Sequence, residues 1–216
     1  IVNPAHPRLA ELATAKFNWN DGLVSWPVPV FQKADWKHVW ILSMCDGIGS
    51  IFVACAELPL TCNGLAAELD SNVKLPLQAF APQVTCIGDC REITVDYIAG
   101  LDLSAFDCVM LTEGAPCPDF TPLNTNPQGF NSTRADGRAH LVKHFVETRD
   151  ALATICSLHD IKFEWFFEEV GTMSAANHAQ FDAFMGSKAV LVQSADFGWV
   201  HRCRLYWGLD SRLKQI

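Results

Sequence analysis

Residues 108–120 have the sequence Cys-Val-Met-Leu-Thr-Glu-Gly-Ala-Pro-Cys-Pro-Asp-Phe, an apolar run followed by a stiff loop that carries a cysteine. The run at 108–111 predicts a buried strand that stops at the Glu-Gly pair. Pro116 and Pro118 restrict the backbone on either side of Cys117. Ligands of open α/β sheets bind at the carboxyl ends of the strands, where Cys117 is placed to act as a nucleophile. Taken alone, a cysteine in a turn is more often a small apolar residue, so the rest of the chain has to decide.

Strand and helix patterns alternate on both sides of this loop. The apolar periodicity predicts strands at 39–44, 64–69, 84–87, 106–111 and 163–167, helices at 71–80 and 137–159 and from Ser50 onward, and a late hairpin of strands at 190–194 and 203–207. Alternating β and α units imply right-handed crossovers with helices on both faces of the sheet. We therefore expect an α/β protein with a doubly wound, mainly parallel sheet of about six or seven strands and an antiparallel late hairpin.

The composition indicates one globular domain. The chain has 216 residues, of which 50% are hydrophobic and 19% are charged. No apolar run reaches the ~18 residues that a bilayer span needs, so we expect no membrane partner. Nine cysteines without a C-x-x-C pair are typical of reduced thiols, and the first residues lack the features of a signal peptide. These features favour an intracellular protein. The net charge of −8 does not by itself favour nucleic-acid binding.

Acidic residues follow three neighbouring predicted strands. Asp46 begins the segment Asp-Gly-Ile-Gly after the first strand, and its glycines allow a ligand to approach the start of a helix. Glu68 ends the second strand and Asp89 follows the third. An acid at the spacing of Glu68 commonly binds ribose hydroxyls. Acids at strand ends are also common in ordinary turns, but the set of three favours a nucleoside site.

These segments, in this order and spacing, resemble the DNA cytosine-5 methyltransferases, and most of all their eukaryotic de novo branch. The resemblance covers residues 25–208. It rests on Pro27-Val-Pro29, Asp46-Gly-Ile-Gly49, Ala67-Glu68, Gly88-Asp89, Pro116-Cys117, Phe167-Glu-Glu-Val170 and His201-Arg-Cys-Arg-Leu-Tyr-Trp-Gly208. It implies a Rossmann-like methyltransferase fold that uses S-adenosylmethionine (SAM), with residues 1–35 as an N-terminal arm and 36–216 as the catalytic domain. Family members continue into a target-recognition region and a C-terminal segment, which we expect to be absent here.

The resemblance also implies a reaction, the methylation of cytosine C5 in DNA. Cys117 would add to cytosine C6, which makes C5 nucleophilic enough to take the methyl group of SAM. Glu168, at the end of a buried strand, would share a proton with cytosine N3 because desolvation raises the pKa of a carboxyl group. Arg202 and Arg204 are two apart and would face the same side of a strand, with Arg204 on the base oxygen.

The cofactor residues that the resemblance implies are Cys45, Asp46, Gly47, Ile48, Gly49, Glu68, Leu69, Asp89 and Cys90. The partners would be DNA with a flipped-out cytosine and a homologous methyltransferase subunit, and a eukaryotic member would be nuclear. His140 and His144 lie one helical turn apart, but the glutamate of an H-E-x-x-H motif is missing, so we expect no metal site.

The chain departs from the family pattern at three positions. The family's Glu-Asn-Val is Glu168-Glu169-Val170 here, the usual aromatic before Asp46 is Cys45, and Val200 replaces a common glutamine. Two other functions stay open: cytosine-5 methylation of RNA on the same fold, and a non-catalytic regulatory paralogue. The retention of Cys117 with the acid and arginines favours an enzyme, while the recognition region would decide between DNA and RNA.

Overall fold

A computed structural model describes residues 36–132, 139–196 and 201–208 of the chain. The expected arm at 1–35 lies outside these described residues. Within them, the strands and helices follow in the order β1 His38–Met44, α1 Ser50–Ala56, β2 Thr61–Ala67, α2 Ser71–Phe80, β3 Val84–Ile87, α3 Val95–Ala99, β4 Cys108–Gly114, α4 His140–Leu158, β5 Lys162–Val170, α5 Ala175–Met185, β6 Val190–Gln193 and β7 Cys203–Trp207.

The strands form one seven-stranded sheet in the order β3-β2-β1-β4-β5-β7-β6. Strands β1 to β5 run parallel to one another, and β7 is antiparallel to both of its neighbours, β5 and β6. The order 3-2-1-4-5 is that of a doubly wound Rossmann-type sheet, in which the strand order reverses between β1 and β4. The prediction of a mainly parallel sheet with an antiparallel end is confirmed, and the architecture is compatible with a Rossmann-like fold.

Helices cover both faces of this sheet and form two separate apolar cores. On one face, α1 and α2 pack on β1, with Leu77 and Ile41 fully buried. On the other, α3, α4 and α5 pack on the central strands, with Phe145, Phe167 and Phe181 fully buried. Burial of each such side chain contributes about 1.5–3 kcal/mol. These two cores hold the carboxyl ends of the central strands at one edge.

Several predicted strand boundaries were wrong, and for β4 and β5 the reason is that backbone pairing continues where the apolar pattern stops. β2 ends at Ala67, two residues earlier than predicted. β4 continues past Leu111 to Gly114, and its last residues pair with both β1 and β5. β5 likewise continues to Val170, so Glu168 lies inside the strand and does not end it. Central strands are held by hydrogen bonds on both sides, so polar side chains do not end them.

The helices agree with the sequence in part. α2 has the predicted bounds and contains Pro76, and Asp70 caps its N-terminus. The cap of α1 is Gly49, with Ser50 as the first helical residue. The predicted start of α4 before Ala139 lies outside the described residues, and the helix ends at Leu158. The sequence interpretation missed α3 and α5. No helix in the described ranges is both long and apolar enough to cross a bilayer.

Candidate active site

A cleft opens at the carboxyl edge of the sheet, next to the point where the strand order reverses. The volume open to the centres of water molecules is about 120 Å³, and all the empty space between its walls, with its open mouth included, is about 540 Å³. The lining residues come from the ends of β1, β2 and β3, the loop after β4 and the start of α4: Cys45, Ala67, Glu68, Leu69, Gly88, Asp89, Cys90, Arg91, Pro116, His140 and Leu141. Five of the nine predicted cofactor residues are therefore brought together in one wall.

The other four predicted cofactor residues, at 46–49, lie beside this wall. Gly47 and Gly49 both have positive φ angles, of 63° and 81°, which glycine adopts without strain. A Cβ at Gly49 would come within 2.7 Å of Leu77, so the loop packs closely on α2. The amide of Gly47 donates to Glu68 Oε2 at 2.9 Å, which ties the loop to the cleft.

Glu68 is held by the backbone on both of its carboxylate oxygens. Besides the bond from Gly47, its Oε1 accepts the amide hydrogen of Asp70 at 3.0 Å. A carboxylate has about four lone-pair sites, so acceptor capacity remains for a hydroxyl pair of a ligand. The two amide bonds fix the direction in which that capacity points.

Asp89 is occupied by a local partner. Its carboxylate forms an ion pair with Arg91 and accepts the amide of the same residue at 2.9 Å. These hydrogen bonds from Arg91 lower the pKa of Asp89 to about 2. The amide of Asp89 in turn donates to Glu92 Oε1 at 3.3 Å, which completes a capping box at the short 3₁₀ turn Cys90–Glu92.

Two thiols of the cleft wall, those of Cys45 and Cys90, lie near a buried acid, Glu113. Cys45 has a positive φ of 52°, and its Sγ lies 3.7 Å from Glu113 Oε1. The neighbouring Cys90 thiol and burial raise the pKa of Cys45. Glu113, on β4, is 1% exposed, and its burial raises its pKa well above the usual range. The carboxyl group of Asp46, one residue further along the chain, has its pKa raised to about 6, mainly by burial.

Cys117 lies on the loop after β4, three residues past the end of the strand. Its carbonyl accepts the amides of Phe120 and Thr121, both at 3.0 Å, so the loop is wound into a tight turn. The side chain of Asn124 donates to the carbonyl of Pro118 at 2.6 Å. Because Pro116 lines the cleft, Cys117 is one residue along the chain from the wall of the cleft.

The surroundings of Cys117 favour its neutral thiol in this structure. Burial raises its pKa above the usual value, and the negative charge of Glu169 raises the pKa further. The positive charge of Arg204 acts in the opposite direction. A thiolate is the reactive form, so the site needs a further positive charge or a substrate contact before the thiol reacts efficiently.

Glu168 meets both predicted arginines. Its Oε1 forms an ion pair with Nε of Arg204 and lies 3.6 Å from Nη2 of Arg202. The prediction that the two arginines face the same side is confirmed. Two guanidinium groups, one from β7 and one from the residue before it, approach the carboxylate of Glu168, which the sequence interpretation did not foresee. Arg204 has an 18% exposed side chain and Arg202 a 57% exposed one.

Of the neighbouring residues Glu168 and Glu169, the more deeply buried is Glu169. The sequence interpretation noted Glu169 only as a departure from the family's Glu-Asn-Val pattern. Glu169 is 1% exposed, and burial raises its pKa to about 8. Successive residues of a strand point to opposite faces, so one step along β5 moves a carboxyl group from the arginines to the core. Glu113 was missed as well. The signal for both was an acid continuing an apolar strand, with no polar neighbour on the same face.

A comparison of the chain with models of known protein families finds no match.

Proposed function

We propose that the protein transfers a methyl group from SAM to C5 of cytosine in DNA through a covalent bond between Cys117 and C6. The observation that carries this proposal is that Glu168 and Arg204 form an ion pair close enough to Cys117 for both charges to act on its thiol, while Pro116, the residue before Cys117, lines the cleft. A nucleophile, a carboxyl group and a cation at one edge are the groups that addition to a cytosine ring needs.

The cleft suits a nucleoside cofactor. Glu68 presents a fixed carboxylate with spare acceptor capacity, as ribose hydroxyls require. Leu69 and Ile48, beside the cleft, are 64% and 56% exposed, so apolar surface is available to an adenine ring. When bound, SAM would supply an electrophilic methyl group on a sulfonium.

Each residue of the nucleophile site has a role that its position supports. Cys117 adds to C6, and the electron pair displaced by this bond moves through C5 toward N3. Glu168 holds the proton at N3, while Arg204 orients Glu168 and offers a donor to the base oxygen. Arg202 is largely exposed and suits a phosphate of the backbone. C5 would then take the methyl group of SAM, with S-adenosylhomocysteine as the leaving group. Loss of the C5 proton to solvent and elimination of the Cys117 sulfur restore the ring double bond and return the free thiol.

The target cytosine would have to leave the helix, because Cys117 lies on a loop within the fold and cannot reach a stacked base. DNA is therefore proposed as a substrate with a flipped-out base. Methylation of RNA on the same fold is the alternative substrate, and a regulatory paralogue without activity is the alternative class. The raised pKa of Cys117 is the observation that favours the regulatory paralogue, since an inactive relative needs no thiolate.

A trapping experiment tests the proposal. The protein is incubated with SAM and a DNA duplex that carries 5-fluorocytosine, and in parallel with the matching RNA. Fluorine cannot leave as a proton does, so the C6–sulfur bond should persist and produce a complex that survives denaturation. We expect peptide mapping to place the base on Cys117.

The variant that tests the mechanism is Cys117→Ser, and its matched control is Cys86→Ser, on β3. Cys86 is also partly exposed, but it lies two strands away from β1, on the side away from β4. The adduct should persist in Cys86→Ser and disappear in Cys117→Ser. An adduct that survives Cys117→Ser rejects the mechanism. An adduct with RNA alone changes the substrate, and the absence of any adduct or methylated product favours the regulatory paralogue.

A further inference from the structure

Glu169 is a buried acid whose surroundings supply little to stabilise a negative charge. Its side chain lies on the core face of β5 and is 1% exposed. Oε2 accepts the amide hydrogen of Val170 at 2.6 Å. Oε1 is shielded from solvent and has no hydrogen-bond partner among the described residues. An ionised carboxylate in such a place costs several kcal/mol, whereas the protonated form does not.

The groups around Glu169 are mostly acidic. Glu168 precedes it on β5, and Glu113 approaches from β4. Asp119 and Cys117 come from the loop after β4. Arg204, from β7, is the cation whose charge lowers the pKa of Glu169, and its guanidinium is already engaged with Glu168 on the other face of β5. One cation among these acids cannot balance two further buried negative charges, so the burial cost falls on Glu169 and Glu113.

The charge on Glu169 acts on Cys117. Among the charged neighbours of the thiol, Glu169 has the largest effect, ahead of Arg204 and Glu168. A negative charge here opposes the formation of the thiolate, while a protonated Glu169 leaves the positive charge of Arg204 to favour it. Glu113, equally buried, has no comparable effect on Cys117 and acts on Cys45 instead.

We propose that Glu169 is a positioning residue that works as a neutral carboxylic acid, and that loss of its proton disables the Cys117 thiol. The proposal rests on the proposed function in one respect, that Cys117 is the nucleophile. It differs from a structural role because it predicts how the reactivity of one named thiol depends on pH. The amide of Gln is the neutral isostere of the protonated acid, so Glu169→Gln should give the Cys117 thiol the surroundings that the protonated acid provides at every pH.

The experiment measures the alkylation of Cys117 by iodoacetamide as a function of pH, with each cysteine followed separately by mass spectrometry. Thiol alkylation needs neither SAM nor nucleic acid. Reactivity follows the thiolate fraction, so the rate profile reports the pKa of Cys117. In Glu169→Gln we expect the profile to move to lower pH, with Cys117 reacting about threefold faster or more on its rising part. Glu113→Gln is the matched control, and it should leave the Cys117 profile unchanged.

An unchanged Cys117 profile in Glu169→Gln overturns the proposal, and so does an equal shift in Glu113→Gln. A Glu169→Gln protein that does not fold also overturns it, because a neutral acid tolerates its neutral isostere. Glu169→Asp, which keeps an ionisable group, should stay close to the wild-type profile. A shifted profile together with a failed 5-fluorocytosine trap would reject the methyltransferase and leave the coupling between Glu169 and Cys117 intact.

Discussion

The cleft and the proposed nucleophile site, which comprises Cys117, Glu168, Arg202 and Arg204, balance their negative charges in different ways, although they share one edge of the sheet. In the cleft, Glu68 is held by backbone amides and Asp89 by Arg91, a partner two residues away. In the nucleophile site, Glu168 depends on Arg204, which reaches it only because β7 pairs with β5. Charge in the cleft is therefore compensated by local chain geometry, and charge in the nucleophile site by tertiary structure.

This difference predicts where each region is fragile. Local bonds to backbone amides survive most changes elsewhere in the fold, so substitutions in the cleft should act mainly on ligand binding. An ion pair between strands that are far apart in the sequence leaves an unpaired charge when one partner is removed. Substitutions in the proposed nucleophile site should therefore act on stability as well as on chemistry.

The largest effect should come from removing the cation of the nucleophile site. We expect Arg204→Ala to lower the free energy of unfolding by about 3 kcal/mol, because Glu168 is left partly buried without its closest cation. Arg202→Ala is the control, and its exposed side chain should change stability by less than about 1 kcal/mol. Urea unfolding at neutral pH measures both. Equal losses in the two variants would contradict the assignment of the stabilising pair.

A smaller effect on binding should follow from Glu68→Ala in the cleft. Loss of its hydrogen bonds to the ribose hydroxyls should weaken SAM binding by about 2 kcal/mol, since a bond to a charged group contributes about 1.5–3 kcal/mol. Asp70→Ala, which removes the cap of α2, is the control and should reduce stability without a comparable loss of affinity. Titration calorimetry gives the comparison. Unchanged affinity in Glu68→Ala would reject the ribose assignment.

The smallest effect concerns Asp46 and depends on pH. The folded protein raises the pKa of this carboxyl from 3.8 to about 6, so the folded state holds the proton more tightly than the unfolded state. Its contribution to stability is present below the unfolded pKa and is lost as the pH rises through the folded one. The stability of Asp46→Asn relative to the wild type should therefore increase as the pH rises from 3.8 to about 6. Above that range the variant should stay more stable by about 1 kcal/mol, after allowance for solvent screening.

The control for this prediction is Asp102→Asn, since the hydroxyl and amide of Ser104 lower the pKa of Asp102. Its stability difference should have the opposite sign, because a carboxyl with a lowered pKa stabilises the folded state at higher pH. Thermal unfolding across the acidic range measures both variants. A stability difference for Asp46→Asn that does not change with pH would show that Asp46 is not the titrating group.

Much of the fold follows from periodicity in the sequence. The bounds of α2 and β3 were predicted as they occur, because flanking turns and apolar spacing agree there. The extensions of β4 and β5 were not, since they carry buried acids that an apolar pattern excludes. α5 was missed, although Ser174 and Gly186, which cap its two ends, were visible signals. Its apolar residues are spread around the helix and do not form one stripe.

The candidate site was predicted in its residue types and only partly in its electrostatics. The facing of Arg202 and Arg204 followed from strand alternation. Which carboxyl group is desolvated did not, because Glu168 and Glu169 are neighbours in the chain and only the packing of the two sheet faces separates them. Burial is a property of the assembled layers, and one sequence position carries no measure of it.

The place of β7 in the sheet has a consequence for the dynamics of the protein. β6 is the edge strand and β7 lies between it and β5, so an opening that detaches β7 from β5 also carries β6 away. Such a sub-global unfolding event would leave the first five strands paired while withdrawing Arg204 from Glu168. Amide hydrogen exchange along β5 and loss of the ion pair would then report a single opening with one free energy. The lifetime of the assembled site cannot exceed the lifetime of that strand pairing.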